Sequence, residues 1–363
     1  MWFVITAVGI TLLLFWKRVS FPVVEEKNVS SYSIIIPARN EENNLKTLLP
    51  SIISGGHEQG EVIVVDDHSE DGTREAAEAY GVKVISNPPL PEDWMGKSWA
   101  CYNGAKEATG KSLLFLDADT WFSTNGPKKL IRYLEMKGED ALITVHPFHF
   151  MHSFWEKLSA VFHLVVFASS GITTIFRDQA GTRGGFGPCL LVNANTYWNL
   201  GGHHPIRSEV VEHLAMARRA EANGVRTYAF SGRNVVNMRM YAASFKAVAE
   251  GWSKSFASGA KTASPLMTLA NIAWISVVIS YIVNIQGTGW WGVIGYLFLA
   301  FWLNRILKDI GNFSFYDALL FPLHFIFFAL IFAYSLLKTF LFKQSTWKGR
   351  EITGKKKKEK PRS

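Results

Sequence analysis

The 363-residue chain sets carboxylates where they could grip a cation and a phosphate. Asp117-Ala118-Asp119 places two acids two residues apart directly after the apolar run 112–116. Asp66-Asp67-His68-Ser69-Glu70-Asp71-Gly72-Thr73 follows a second run, 61–65, and Pro37-Ala38-Arg39-Asn40-Glu41-Glu42 follows a third, 33–36. Hard divalent cations are held by one or two carboxylates together with substrate phosphates, so Asp117 and Asp119 suit Mg²⁺ or Mn²⁺ beside a diphosphate. No GxGxxG turn follows any of these runs and no Walker A sequence occurs, so a glycine loop is not what cradles the phosphates. Each motif alone is weak, because an acidic pair after a strand also caps helices and turns. Their succession at three run ends is much harder to reach by chance.

The elements that must position these residues are legible as a pattern. Apolar runs 33–36, 61–65, 82–85 and 112–116 alternate with helical stretches near 44–53, 73–80 and 98–108. Near-continuous apolar strands joined by helices predict an α/β domain with a mostly parallel central sheet covered on both faces. Ligands of such sheets lie beyond the carboxyl ends of the strands, where all three motifs stand.

Charge and hydropathy are uneven along the chain. The net charge is +8, but nine of the 38 basic and only two of the 30 acidic residues fall in 343–363. The remainder is nearly neutral, so the basic character is a tail rather than a face, and nucleic acid is not an expected partner. Residues 1–16 carry no charge and 265–342 carry five. The expected organisation is therefore an N-terminal membrane anchor (1–16), a catalytic domain (30–255), a C-terminal transmembrane region of about three helices (265–342) and a basic tail (343–363). Lys17 and Arg18 after the first segment predict a cytoplasmic domain in a multi-pass membrane protein. Three crossings from the cytoplasm would carry the lysine run 355–358 outside, against the same rule, so the number of crossings stays open. The uncharged stretch 158–176 is expected to be a core or membrane-surface helix, since a crossing there would part Asp119 from Glu212. Cys101 and Cys189 read as packed thiols, too few for a disulfide framework.

The motifs SIIIPARNEE, VIVVDDHSEDGT and LLFLDADT, taken together, resemble the family 2 inverting glycosyltransferases of the nucleotide-diphosphosugar (GT-A) fold, over residues 33–252. More narrowly, PEDWMGKSWACYNGAKEATGKSLLFLDADT and GFGPCLLVNANTYWNLGGH resemble the membrane glycosyltransferases of carotenoid pigment synthesis that act on diaponeurosporenoate. The resemblance implies that Pro37, Arg39 and Glu41 line a uridine pocket and that Asp67 accepts a hydrogen bond from the uracil. It also implies that Lys97 faces the diphosphate, that Asp117 lies near the ribose and that Asp119 is the main ligand of Mg²⁺ or Mn²⁺.

Two departures bear on the acceptor. Many relatives have a Glu-Asp pair whose Asp is the general base, whereas this chain has Glu212-His213. An imidazole can act as a base near neutral pH, but a carboxylic acid acceptor is already ionised there and needs none. His213 could equally pack on its helix and leave Glu212 to supply the carboxylate. Where polymer-making relatives have QxxRW, this chain has Ala249-Glu250-Gly251-Trp252-Ser253-Lys254, which disfavours a polysaccharide synthase. The expected reaction is inverting transfer of a hexose, glucose fitting best, from a UDP-sugar to an apolar acceptor dissolved in the membrane. A C30 carotenoid carboxylic acid, giving a glycosyl ester, is the acceptor that fits best. The alternatives are a lipid hydroxyl acceptor and a catalytically silent membrane partner.

Overall fold

The computed structural model describes residues 1–25, 27–54, 60–176, 184–240, 244–259, 264–342, 346–347 and 350–351; the lysine run 355–358 lies outside them. Helix α1 (Trp2–Leu14) precedes β1 (Tyr32–Ala38), α2 (Glu42–Ile53), β2 (Gly60–Asp66), α3 (Thr73–Glu78), β3 (Lys83–Ser86), α4 (Gly96–Lys106) and β4 (Ser112–Leu116). There follow β5 (Thr120–Phe122), α5 (Gly126–Lys137), β6 (Ala141–His146), β7 (Phe148–His149), α6 (Phe154–Lys157) and α7 (Ala160–Ser169). Then come β8 (Cys189–Asn193), α8 (Ala194–Asn199), α9 (Glu212–Ala222), β9 (Arg226–Ser231), β10 (Val236–Met238) and α10 (Phe245–Gly259). Helices α11 (Pro265–Val283), α12 (Trp290–Ile310), α13 (Phe315–Leu319) and α14 (Phe321–Phe342) complete the helical region.

The central sheet has the order β3-β2-β1-β4-β8-β6-β9. Strands β1 to β4 pair parallel, as do β6 and β9, while β8 runs antiparallel to both of its neighbours. The carboxyl ends of β1, β2, β4, β6 and β9 therefore share one edge, and the segment entering β8 reaches that same edge. Residues alternate between two cores along each strand. Ile34, Ile36, Val64 and Leu114 face one core with Leu45 and Leu49 of α2. Ile35, Ile63, Val65 and Leu113 face the other with Ala100 of α4 and Met216 of α9. Two buried faces are why these strands read as unbroken apolar runs.

A third core lies outside the sheet. Helix α7 buries eight of its ten residues, including Phe162, His163 and Phe167. It packs in one cluster with Phe15 just beyond α1, Trp252 of α10, Trp274 of α11, Leu303 of α12 and Phe325 of α14. A helix enclosed on all sides is apolar all round, which accounts for the uncharged stretch 158–176. The N-terminal helix joins this bundle: Trp274 Nε1 donates to Thr11 Oγ1 at 3.0 Å and Trp302 Nε1 to the Phe15 carbonyl at 2.9 Å. Asp309, fully buried near the end of α12, accepts from Arg18 and lies 3.2 Å from Arg233 Nη1 in the β9–β10 connection. One buried carboxylate thus ties both chain ends to the catalytic sheet.

Helices α11 and α12 are each long and apolar enough to cross a membrane. They leave large apolar side chains bare, among them Leu266, Leu269, Ile272, Trp290, Ile294 and Phe301, all more than half exposed. The 13 residues of α1 reach only ~20 Å, short of a ~30 Å hydrocarbon layer. The last apolar segment breaks at Leu320 between α13 and α14, one residue before the proline-bearing turn Phe321-Pro322.

Candidate active site

The motifs after β1 and β2 fold onto each other. Asn40 and His68, each at the head of its loop, adopt left-handed backbone angles of φ 55° and 57°. Such φ values are costly for most residues, but Asn adopts them comparatively readily. The Asn40 amide donates to Ser69 Oγ at 3.0 Å, and the Glu70 amide donates to Asn40 Oδ1 at 2.8 Å. The Glu41 amide donates to Thr73 Oγ1 at 2.8 Å. Asp66 and Asp71 accept local amides, from Ser69 at 3.1 Å and Thr73 at 3.1 Å. Most of the Asp66–Thr73 polar residues thus brace the loops.

Asp67 is the exception. It is buried, accepts from Asn87 Nδ2 at 2.8 Å and has Arg39 Nη1 at 3.6 Å from its second oxygen. Asn103 Nδ2 in turn donates to Asn87 Oδ1 at 3.0 Å. This buried relay fixes the Asp67 carboxylate beside the Arg39 guanidinium. Asn87 and Asn103 were not among the residues singled out from sequence, since an isolated Asn carries no local signal.

Lys97 occupies the centre of the cleft. Its ammonium lies 2.7 Å from Asp117 Oδ1 and 2.8 Å from Glu212 Oε1. Lys97 stands in the first turn of α4, where the Met95 amide donates to the Arg207 carbonyl at 2.8 Å and so draws the helix start across to the segment before α9. Sequence reasoning assigned Lys97 to a diphosphate; the structure adds that it bridges the β4 end to the α9 start. Burial works against its charge, yet Asp117 and Glu212 hold its pKa well above the ordinary lysine value. Burial likewise pushes the Glu212 carboxyl up, but Lys97 and His213 outweigh it and hold Glu212 well below the usual carboxylate range. Glu212 is therefore a fixed anion at neutral pH.

Asp119 is open to the cleft, but the protein packed around it strips part of its hydration, and the carboxylates of Asp117 and Glu41 add repulsion. Together they push its pKa up to about 7. No described basic side chain forms an ion pair with it. A carboxylate under repulsion from two others is relieved by a hard divalent cation bound to it.

His213 lines the same cleft as Pro37, Lys97, Asp117 and Glu212, together with Cys101, Gly187 and His203. Its buried Nδ1 lies 3.5 Å from Glu212 Oε1, an electrostatic contact that helps hold Glu212 down, and has no hydrogen-bond partner. The GFGP segment, noticed in sequence only as a resemblance, explains how α9 comes so near. A Cβ on Gly185 would stand 2.7 Å from the Leu214 Cα, and one on Gly187 would stand 2.4 Å from the His213 ring. The Asp117 amide also donates to the Pro188 carbonyl at 2.9 Å, so the antiparallel entry of β8 supports the carboxylate motif directly.

The α/β sheet with its carboxylate-lined edge is a GT-A fold. A mannosyltransferase from Pyrobaculum calidifontis, solved with GDP-Man and Mn²⁺, superposes with a TM-score of 0.54 at 15% identity, covering 94% of this chain and 98% of that one. Residues 33–201 match the model of glycosyl transferase family 2. The 4,4'-diaponeurosporenoate glycosyltransferase of Staphylococcus aureus strain USA300 is 31% identical over 335 residues, which is 90% of this chain and 89% of the relative. That of strain MRSA252 is 30% identical over the same length. The chain belongs to glycosyl transferase family 2 and is a glycosyltransferase.

Proposed function

We propose that the enzyme transfers a hexose, glucose fitting best, with inversion from a UDP-sugar to a C30 carotenoid carboxylic acid, forming a glycosyl ester. The observation that carries the acceptor class is the Lys97–Glu212 ion pair at 2.8 Å. The pair ties up the cleft carboxylate that could otherwise take a proton, and an acceptor that arrives ionised does not need it to. The S. aureus relatives, named for a carotenoid acid and matched along nearly the whole chain, support the same class.

In this reading Pro37, Arg39, Glu41 and the braced Asp67 hold the uridine. Asp117 would meet the ribose, and Lys97 would face the diphosphate. Mg²⁺ or Mn²⁺ at Asp119 would neutralise the departing diphosphate, a Lewis-acid role. The acceptor carboxylate oxygen attacks the anomeric carbon from the face opposite the diphosphate. Its new C–O bond forms as the old one breaks, and the electron pair leaves on the β-phosphate oxygen of UDP. One displacement inverts the configuration. The bare apolar faces of α11 and α12 seat the enzyme in the membrane where an insoluble acceptor dissolves, with the catalytic domain in the cytoplasm.

The His213 ring in the cleft wall favours a second reading, in which a lipid hydroxyl is the acceptor and His213 the base. Membranes bearing the enzyme, incubated with radiolabelled UDP-glucose and the carotenoid acid, separate the readings. Alkali-labile labelled lipid is the expected product. Alkali-stable label would mean an ether glycoside, and no labelled lipid would mean a silent homologue.

A further inference from the structure

Three histidines that take no part in the cleft chemistry converge beside the end of β6, where β7 and α7 meet it. His146 ends β6, His149 ends β7 and His163 lies on α7. One ring nitrogen of each lies within 4.8 Å of the other two. His149 Nε2 and His146 Nδ1 are 3.3 Å apart, and the His149 and His163 rings have centroids 4.2 Å apart. Nitrogens at about 2.0–2.1 Å from one tetrahedral cation stand roughly 3.4 Å from each other, so one pair already has the spacing of shared ligands. A simple hydrogen bond between His146 and His149 would explain that pair but not the third ring. His163 is buried and its Nδ1 has no hydrogen-bond partner, an arrangement that folded interiors avoid.

We propose that His146, His149 and His163 form a three-imidazole site for a borderline divalent transition metal, zinc being the type, separate from the hard cation expected at Asp119. No carboxylate joins the three among the described residues, and neutral imidazoles select zinc-like ions over Mg²⁺ or Mn²⁺. A water completes the tetrahedron. The site joins β6 and β7 to α7, and so fastens the catalytic sheet to the helical bundle. Phe186, next to Gly187 of the cleft wall, packs edge-on against His146 with centroids 5.1 Å apart, so the metal would also stiffen the acceptor side.

The test uses full-length enzyme purified in detergent from cells supplied with Zn²⁺, then dialysed against excess Mg²⁺ and citrate. Elemental analysis is expected to find about one zinc per chain, unchanged in Asp119→Ala and reduced at least fivefold in His149→Phe and His163→Phe. Co²⁺ added to the demetallated wild-type chain should give the intense visible band of a tetrahedral centre, a readout that does not depend on any variant folding. Wild-type protein with less than a tenth of an equivalent of zinc and no such band overturns the proposal. So does full zinc retention in the histidine variants. The outcome is independent of which acceptor the enzyme uses.

Discussion

The two sides of the cleft are built in opposite ways. On the donor side, consecutive parallel strands each end in a polar loop, and neighbouring loops brace one another through pairs such as Asn40 with Ser69 and Glu41 with Thr73. On the acceptor side, Glu212 and His213 arrive on α9 from far along the chain, held by Lys97 from α4 and admitted by Gly185 and Gly187. The donor side is built from adjacent strand–loop units and charged at its rim. The acceptor side is assembled from distant pieces around one ion pair in the cleft wall. Substitutions on the donor side should therefore cost activity with little stability, and those at the junction should cost both.

The largest expected effect is on the donor side. Asp119→Ala should lower kcat by about a thousandfold, since the electrostatic support of a leaving group is worth about 3–4 kcal/mol or more. Because Asp119 is open to the cleft and repelled by its neighbours, the variant's melting temperature without added metal should not fall. Steady-state transfer and thermal denaturation check both halves; activity within tenfold of wild type would remove Asp119 from the metal site.

Lys97→Met breaks the junction. Glu212 is buried while 27% of the Lys97 side chain is exposed, so removing the lysine leaves a buried charge uncompensated and should cost up to about 3 kcal/mol. Its pH dependence has a definite sign. In the wild type Glu212 has a depressed pKa, so its stabilisation is present above the ordinary carboxylate value and is lost as pH falls through the folded one. Without Lys97 only His213 opposes the burial of Glu212, so the Glu212 pKa moves up from its wild-type position and the variant gains less stability than the wild type as pH rises through the carboxylate range. The stability gap between the two proteins should thus widen from pH 4 to pH 7 in urea titrations. A constant gap would mean that Lys97 supports the fold through packing alone.

How much of this was visible in the sequence follows the same division. Ile34, Ile35 and Ile36 announce a doubly buried strand, and the acids after β2 and β4 announce a cation and phosphate edge, because strand, turn and ligand are neighbours in the chain. Asn87 could not be found that way: its meaning comes only from the Asp67 carboxylate it meets across the sheet. The antiparallel course of β8 was equally hidden, and it is what makes a glycine segment before a strand part of the cleft wall. The stretch around Phe162 was recognisable as apolar, but that it is wrapped by both ends of the chain depends on contacts such as Trp274 with Thr11.

Within the donor side the relay can be probed without touching the metal. Asn87→Ala leaves the Asp67 carboxylate without its 2.8 Å donor. A hydrogen bond to a charged group is worth about 1.5–3 kcal/mol, so KM for the UDP-sugar should rise at least tenfold while kcat changes little. A fall in kcat with unchanged KM would place Asp67 at the reacting centre instead of the base pocket.

The smallest expected effect is the most informative about the acceptor. If the acceptor arrives ionised, His213→Ala should change turnover of the carotenoid acid less than about threefold, since general base catalysis worth 10²–10⁴ is not in use. Gly187→Ala separates position from chemistry, because its methyl would press within 2.4 Å of the His213 ring and force it aside. Should Gly187→Ala slow transfer more than His213→Ala, the ring's importance is its bulk beside the cleft. Should His213→Ala alone abolish transfer, with UDP binding and melting temperature intact, the ionised-acceptor reading fails and the imidazole is the proton acceptor. The two variants thus test whether the His213 ring, whose Nδ1 lies 3.5 Å from Glu212, takes a substrate proton or only shapes the cleft.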